Sequence, residues 1–323
     1  MNRINHISVL SSVACFLFGV SGILYAQAVP TYSQLTQEHP DWVQVPGALV
    51  RPDCVHEIPE GATVEITENG EVTGDVTMNG EFVAHYDACP EAAIVTRPHS
   101  SAMGFIQDPG TGNGWVEASE WDVSLVKNDN IDYLGGTWPV PKKPSKNGAL
   151  IYLFNGIEPS GGSWILQPVL QYGASPAGGG NYYAVASWLV SSGGVAYHST
   201  LKKVAVGDTI TGFTELTAVS GGQQSWSVEA VDGSITSTLK VKTSAKRHWT
   251  WAFAGVLEAY GVSACSEFPA SGKVKFFADG PYHGFPSYNL VTPEQWTGAV
   301  FPFTGGPSCG YSVSAGTNST LFF

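Results

Sequence analysis

From Ala149 onward, apolar runs of strand length recur between Gly-rich turns. The run Ala149-Leu150-Ile151-Tyr152-Leu153-Phe154 is apolar at every position, the pattern of a strand covered on both faces. Trp164 to Tyr172 follows, then Asn181 to Val190, Val195 to Val204, Thr209 to Thr217, Gln224 to Val231 and Ser234 to Val241. His248 to Ala259 and Lys273 to Ala278 complete the set. Strands at this spacing predict an all-β fold, an antiparallel two-sheet sandwich. No stretch has the 3.6-residue period of a long amphipathic helix, and no fixed repeat appears.

Upstream the pattern thins. Residues 29–98 read as a small β-hairpin module, with turns at Pro59-Glu60-Gly61, Asn69-Gly70 and Asn79-Gly80 around short alternating segments. Residues 99–147 read as an irregular linker, with a processing site as the alternative. They hold the loop Pro109-Gly110-Thr111-Gly112-Asn113-Gly114 and a basic, Pro-rich stretch around Lys142, Lys143 and Lys146. The expected division is therefore a leader (1–28), a small module (29–98), a linker (99–147) and a sandwich (148–323).

The leader has the marks of export. Arg3 precedes an apolar run from Ile7 to Tyr25, and Ala26-Gln27-Ala28 supplies the small-x-small pattern that signal peptidase reads. Cleavage after Ala28 would leave a secreted chain, with no other stretch near the roughly 20 apolar residues of a membrane span. It would also remove Cys15. Four cysteines remain, an even number, which in an exported chain favours two disulfides. Three pairings are possible. Proximity favours Cys54–Cys89 and Cys265–Cys309. No CxxC or HxxxH spacing points to a metal, and nothing points to a cofactor. The net charge is −12, with 15 Lys and Arg against 27 Asp and Glu. So acidic a chain is a poor partner for nucleic acid.

Chemistry is carried by no familiar signature. GxSxG, HExxH and phosphate-cradling Gly loops are absent, and the eight histidines are scattered singly. The informative residues are polar ones inside apolar strands. Gln167 and Gln171 sit four apart, on one face of their strand. A Gln packed in a strand needs its amide satisfied, by a cross-strand hydrogen bond or by lining a cleft. Glu258 ends the strand that begins at Trp249. Counted at period two, Trp249, Trp251, Phe253 and Leu257 share one bulky face. Thr250, Ala252, Ala254, Val256 and Glu258 share the other.

In order along residues 148–279, several segments resemble the glutamic endopeptidases of the eqolisin type. Phe154-Asn155-Gly156-Ile157 resembles that family's W-V-G-I strand. Ile165-Leu166-Gln167-Pro168 resembles its L-L-Q-T motif, which holds the catalytic Gln. Tyr182-Tyr183-Ala184-Val185-Ala186-Ser187-Trp188 is similar to Y-x-A-W-Y-E-W, and Gly207-Asp208-Thr209-Ile210 to G-D-x-I. Val256-Leu257-Glu258 falls near A-E-W-I-V-E. The resemblance implies a lectin-like (concanavalin A-like) sandwich, secretion, activity at acidic pH and a polypeptide substrate. It implies Gln167 as the catalytic Gln. Glu258 is the candidate partner carboxylate, and Gln171, Tyr182 and Trp188 are candidate substrate-binding residues. Two departures stand out. An ungapped alignment puts Ala254 at the family's catalytic Glu and Glu258 at the second Glu. The two residues have the same parity, about 13 Å apart at roughly 3.3 Å per residue, unless a bulge intervenes. Ser187 replaces a cleft carboxylate. The plant neprosin peptidases are distantly similar and use two glutamates, and residues 29–98 resemble a pro-segment. The competing reading is a non-catalytic sandwich that binds peptide or glycan, with Trp188, Tyr182 and Tyr183 as a stacking platform.

Overall fold

The computed structural model describes residues 32–323, apart from 69–71, 90–93, 96–111, 126–129, 161, 192, 302 and 304. The leader and the Asn69-Gly70 turn lie outside the described residues. One short helix, α1 (Tyr32–Glu38), opens the chain, and no described helix is long and apolar enough to cross a membrane. The strands are β1 (Val43–Val45), β2 (Ala48–Val50), β3 (Val55–Ile58), β4 (Thr63–Glu68), β5 (Val72–Met78), β6 (Glu81–Tyr86) and β7 (Ile94–Val95). There follow β8 (Gly112–Asp122), β9 (Tyr133–Pro139), β10 (Leu150–Pro159), β11 (Trp164–Ser175), β12 (Gly178–Ser191), β13 (Ala196–Ser199) and β14 (Lys202–Lys203). The chain continues through β15 (Thr209–Ser220), β16 (Gln223–Asp232), β17 (Ile235–Ser244), β18 (Trp249–Val262) and β19 (Lys273–His283). It closes with β20 (Asn289–Leu290), β21 (Thr297–Val300), β22 (Ser312–Ser314) and β23 (Asn318–Phe322).

Two large sheets dominate. The first runs β21-β8-β18-β10-β11-β12-β13-β3, with β14 also on β12. The second runs β22-β23-β19-β9-β15-β16-β17-β4-β5-β6, with β20 on β19. Their facing sides bury two clusters of apolar residues, one around Trp226, Trp249 and Leu166, the other around Trp138, Leu153 and Phe276. The strands expected downstream of residue 149 are present, because their inward positions fill this interlayer.

Three features differ from the sequence expectation. Both sheets are antiparallel except at one joint each, where β3 lies parallel to β13 and β4 parallel to β17. Strands from 55–86 thus extend both sheets of the sandwich, covering edges that would otherwise present unpaired backbone. The stretch 99–147 is not wholly irregular, since it supplies β8 and β9, each paired on both sides within a sheet. Finally, β18 does not keep period two. Against β10 and β8 its register slips between Phe253 and Gly255–Val256, with Ala254 the extra residue. A second slip lies near Trp249. Trp251 and Phe253 consequently share the outer face with Val256 and Tyr260, whereas Trp249, Ala252 and Leu257 face the interlayer.

Disulfides join Cys54 to Cys89 and Cys265 to Cys309, the two pairs expected. The first links the start of β3, in one sheet, to the end of β6, in the other.

Candidate active site

The outer face of the first sheet is covered by a separate small sheet, β1-β2-β7. Val45, Ala48 and Val50 pack there on Tyr152, Phe154, Val169, Trp188 and Val256. In β1 and β2, Val45 pairs with Ala48, so Pro46 and Gly47 form a two-residue turn. Pro at the first central position and Gly at φ 82° at the second is the residue pattern of a type II turn. A type II turn leaves its central peptide unit outside the hairpin's own hydrogen bonding. That unit is the Pro46–Gly47 peptide.

Gln167 and Glu258 take both ends of it. Gln167 Nε2 donates to the Pro46 carbonyl oxygen at 3.2 Å. The Gly47 N–H donates to Glu258 Oε1 at 2.8 Å. Only the C=O and C–N bonds of one peptide, each about 1.3 Å, separate the two contacts. Both side chains are fully buried. Gln167 projects beside Gly156 of β10, where an added Cβ would lie 2.8 Å from the Leu166 carbonyl and 3.2 Å from the Gln167 Cβ. A larger residue at 156 would displace the Gln167 strand. Gln167 Oε1 has no hydrogen-bond partner among the described residues.

Glu258 accepts a second hydrogen bond at Oε1, from the Tyr260 hydroxyl on the same face of β18. Trp115 lies opposite Glu258 on β8 and meets Phe154, Phe253 and Phe301 edge-on. On the other side, Tyr152 lies opposite Glu258 and donates to the Gln44 carbonyl at 3.3 Å. The carboxylate therefore sits in an aromatic wall, with directed donors on one oxygen. Such a site favours a localised charge only where donors point at it.

The remaining predicted residues are placed elsewhere. Gln171 spends its amide on the β11–β12 turn: Nε2 donates to the Gly173 and Gly178 carbonyls at 2.8 Å each, and Oε1 accepts from Ser175. Trp188 is fully buried beside Gln167 in register and packs on His198. Tyr182 lies six residues up the strand, about 20 Å at 3.3 Å per residue, under the Lys203 ammonium. Trp188 and Tyr182 form no common platform. Sequence reasoning missed Tyr260, Tyr152, Trp115 and the Pro46–Gly47 turn. Tyr260 was within reach of it, two residues past Glu258 on one face. The turn was not, since it lies 211 positions from its partner.

Among the described residues, no group of three or more His, Cys, Asp or Glu is placed to hold a metal ion. No protein-family description matches the chain, and no curated relative aligns with it. Solved structures similar to it include scytalido-glutamic peptidase with a transition-state-analogue inhibitor, at 15% identity and TM-score 0.43. SCP-B, a member of the Eqolisin family of peptidases in complex with the tripeptide Ala-Ile-His, is similar at 14% identity and TM-score 0.41. Each comparison covers 66% of this chain and 99% of the other.

Proposed function

We propose that the chain is a secreted, glutamic-type endopeptidase on a lectin-like sandwich, with Glu258 and Gln167 acting on a peptide bond. The observation that carries this reading is the atom-by-atom assignment of the Pro46–Gly47 peptide. Its carbonyl oxygen lies on an amide donor, where an oxyanion would form. Its nitrogen lies on a carboxylate, where a leaving amine would need a proton. In this reading Glu258, as carboxylate, takes a proton from a water attacking the carbonyl carbon. The Gln167 amide stabilises the oxyanion. Glu258 then returns the proton to the nitrogen as the C–N bond breaks. The Tyr260 hydroxyl holds the carboxylate in place. The two disulfides suit an exported chain.

The test is digestion of casein and of an internally quenched peptide library across pH 2 to 8, by protein previously incubated at each pH. Cleavage that is unaffected by chelators and lost in Glu258→Gln is expected. A wild type that cleaves nothing at any pH would overturn the reading.

A further inference from the structure

The turn between β17 and β18 carries Lys246-Arg247-His248, a basic run in a chain whose net charge is −12. We propose that this turn and the turn between β10 and β11 form a binding site for a hydroxylated carboxylic acid, a uronate sugar, with Arg247 as the seat of the carboxylate.

The site is built from the backbone upward. After β17 the Lys246 N–H donates to Ser244 Oγ at 3.2 Å and the Arg247 N–H to the Ser244 carbonyl at 3.0 Å, which closes the turn. The Ser160 N–H donates to the His248 carbonyl at 3.3 Å, so the β10–β11 turn is tied to it. Against both turns lies a cavity of about 390 Å³, within the size range of small-molecule sites. Trp164 opens β11 three residues before Gln167, about 10 Å at roughly 3.3 Å per residue. The cavity is therefore separate from Gln167 and Glu258, and binding there would not depend on them.

Arg247 lines this cavity from a fixed position. Its side chain is 10% exposed, and its guanidinium carbon lies 4.0 Å from the centre of the buried Trp164 ring. A cation over an indole face is held there by the ring's quadrupole. Glu68 accepts a hydrogen bond from Nη2. Nε is shielded from solvent and has no hydrogen-bond partner among the described residues. A guanidinium has five N–H donors, and one carboxylate oxygen does not exhaust them. A buried donor without an acceptor is costly. A ligand carboxylate meeting the unspent edge of the fork would supply the acceptor.

Charge and lining select the class of ligand. Arg247 and Lys246 bring two positive charges and Glu68 returns one negative, so one further anion balances the cavity. A carboxylate carries that single charge and matches the planar fork. Ser160, Ser244 and His248 add hydroxyls and an imidazole, and Pro159 alone is apolar. Such walls suit a ligand with several hydroxyls and little apolar surface.

Calorimetric titration of the purified full chain with galacturonate and glucuronate tests this, with glucose, acetate and inorganic phosphate as comparison ligands. One of the uronates should bind saturably at one site per chain, roughly tenfold or more tighter than each comparison ligand. Arg247→Lys keeps the charge and loses the fork, and should weaken binding on the order of 10- to 100-fold, as for hydrogen bonds to a charged group. Lys246→Ala, at an exposed position, should weaken it about two- to fivefold, and it decides the matter if thermal unfolding shows Arg247→Lys to be unstable. Glu258→Gln should bind as wild type does. Acetate or phosphate binding as tightly as a uronate overturns the sugar-acid assignment, and glucose doing so overturns the role of the carboxylate. Uronate binding that both Arg247→Lys and Lys246→Ala leave unchanged, or no saturable binding of either uronate, overturns the site.

Discussion

Two buried carboxylates on neighbouring strands point to opposite faces of one sheet. Glu258, on β18, faces the outer site. Glu117, on β8, lies opposite Leu257 and faces the interlayer. Both are fully buried. The groups that reach them differ. Glu258 receives the Gly47 N–H and the Tyr260 hydroxyl. Glu117 has apolar neighbours, and burial pushes its carboxyl up to about 8, against a smaller pull from the backbone at Ser312 and Phe322. At Glu117 burial outweighs the backbone donors that reach it. Glu258 meets a backbone N–H and a phenol hydroxyl at one oxygen.

The sharpest way to break this contrast is to neutralise each acid in turn. Glu258→Gln should lower turnover on the order of 100- to 10,000-fold, the range for general acid–base catalysis. Glu117→Gln should leave kcat within about twofold. Steady-state kinetics on one peptide decides between them, and equal losses would erase the distinction.

The two glutamines of β11 offer a second contrast on one strand face. Gln167→Ala should cost about 100- to 1,000-fold in kcat, as for an oxyanion donor. Gln171→Ala should leave kcat nearly unchanged. It should lower stability by about 1–3 kcal/mol, because it strips the donor from the Gly173 and Gly178 carbonyls. Urea unfolding beside kinetics separates the two.

The interlayer acid also predicts a pH dependence of stability. A folded-state pKa raised from 4.5 to about 8 contributes stability fully below 4.5, lost as pH rises through about 8. At about 1.4 kcal/mol per pH unit between those values, the loss is a few kcal/mol. Glu267 does the opposite. Burial would raise it, but Lys146, Ser263 and Ala264 outweigh burial and hold it at about 2. Lys146 pairs with it at 2.8 Å. Its stabilisation is present above 4.5 and lost as pH falls through about 2. Denaturant midpoints should therefore peak near pH 4.5. Glu117→Gln should flatten the alkaline limb and leave the acidic one.

Among the losses of turnover expected at the site, the smallest is Tyr260→Phe, which removes one hydrogen bond to Glu258. At about 1.5–3 kcal/mol for a bond to a charged group, kcat should fall roughly 10- to 100-fold. An unchanged kcat would show that the Gly47-type donor of a bound peptide suffices to position the carboxylate.

Much of the sandwich was legible because its strands beyond Ala149 are apolar runs bounded by glycines. The strands β8 and β9 were not. Gly112 and Gly114 open one, and Gly135 and Gly136 lie inside the other, so local chemistry reads as turn while the neighbouring strands impose extension. The two disulfide pairs followed from proximity and even number. For the site, a Gln and a Glu embedded in apolar strands marked two positions that meet the two ends of one peptide in the fold. The faces of β18 were misread because period-two counting assumes an unbroken ladder, and the extra residue at Ala254 is set by two partner strands, not by its own neighbours. Gln171 has the same local signature as Gln167. Only the turn it braces tells them apart.

The central claim is that Gln167 and Glu258 act together on one peptide bond. A double-mutant cycle on kcat tests this most directly, using wild type, Gln167→Ala, Glu258→Gln and the double variant, all prepared alike. Groups acting as a unit are strongly non-additive, so the double variant should fall to the same floor as Glu258→Gln alone. A Glu258→Gln variant that turns over at the wild-type rate would contradict the account.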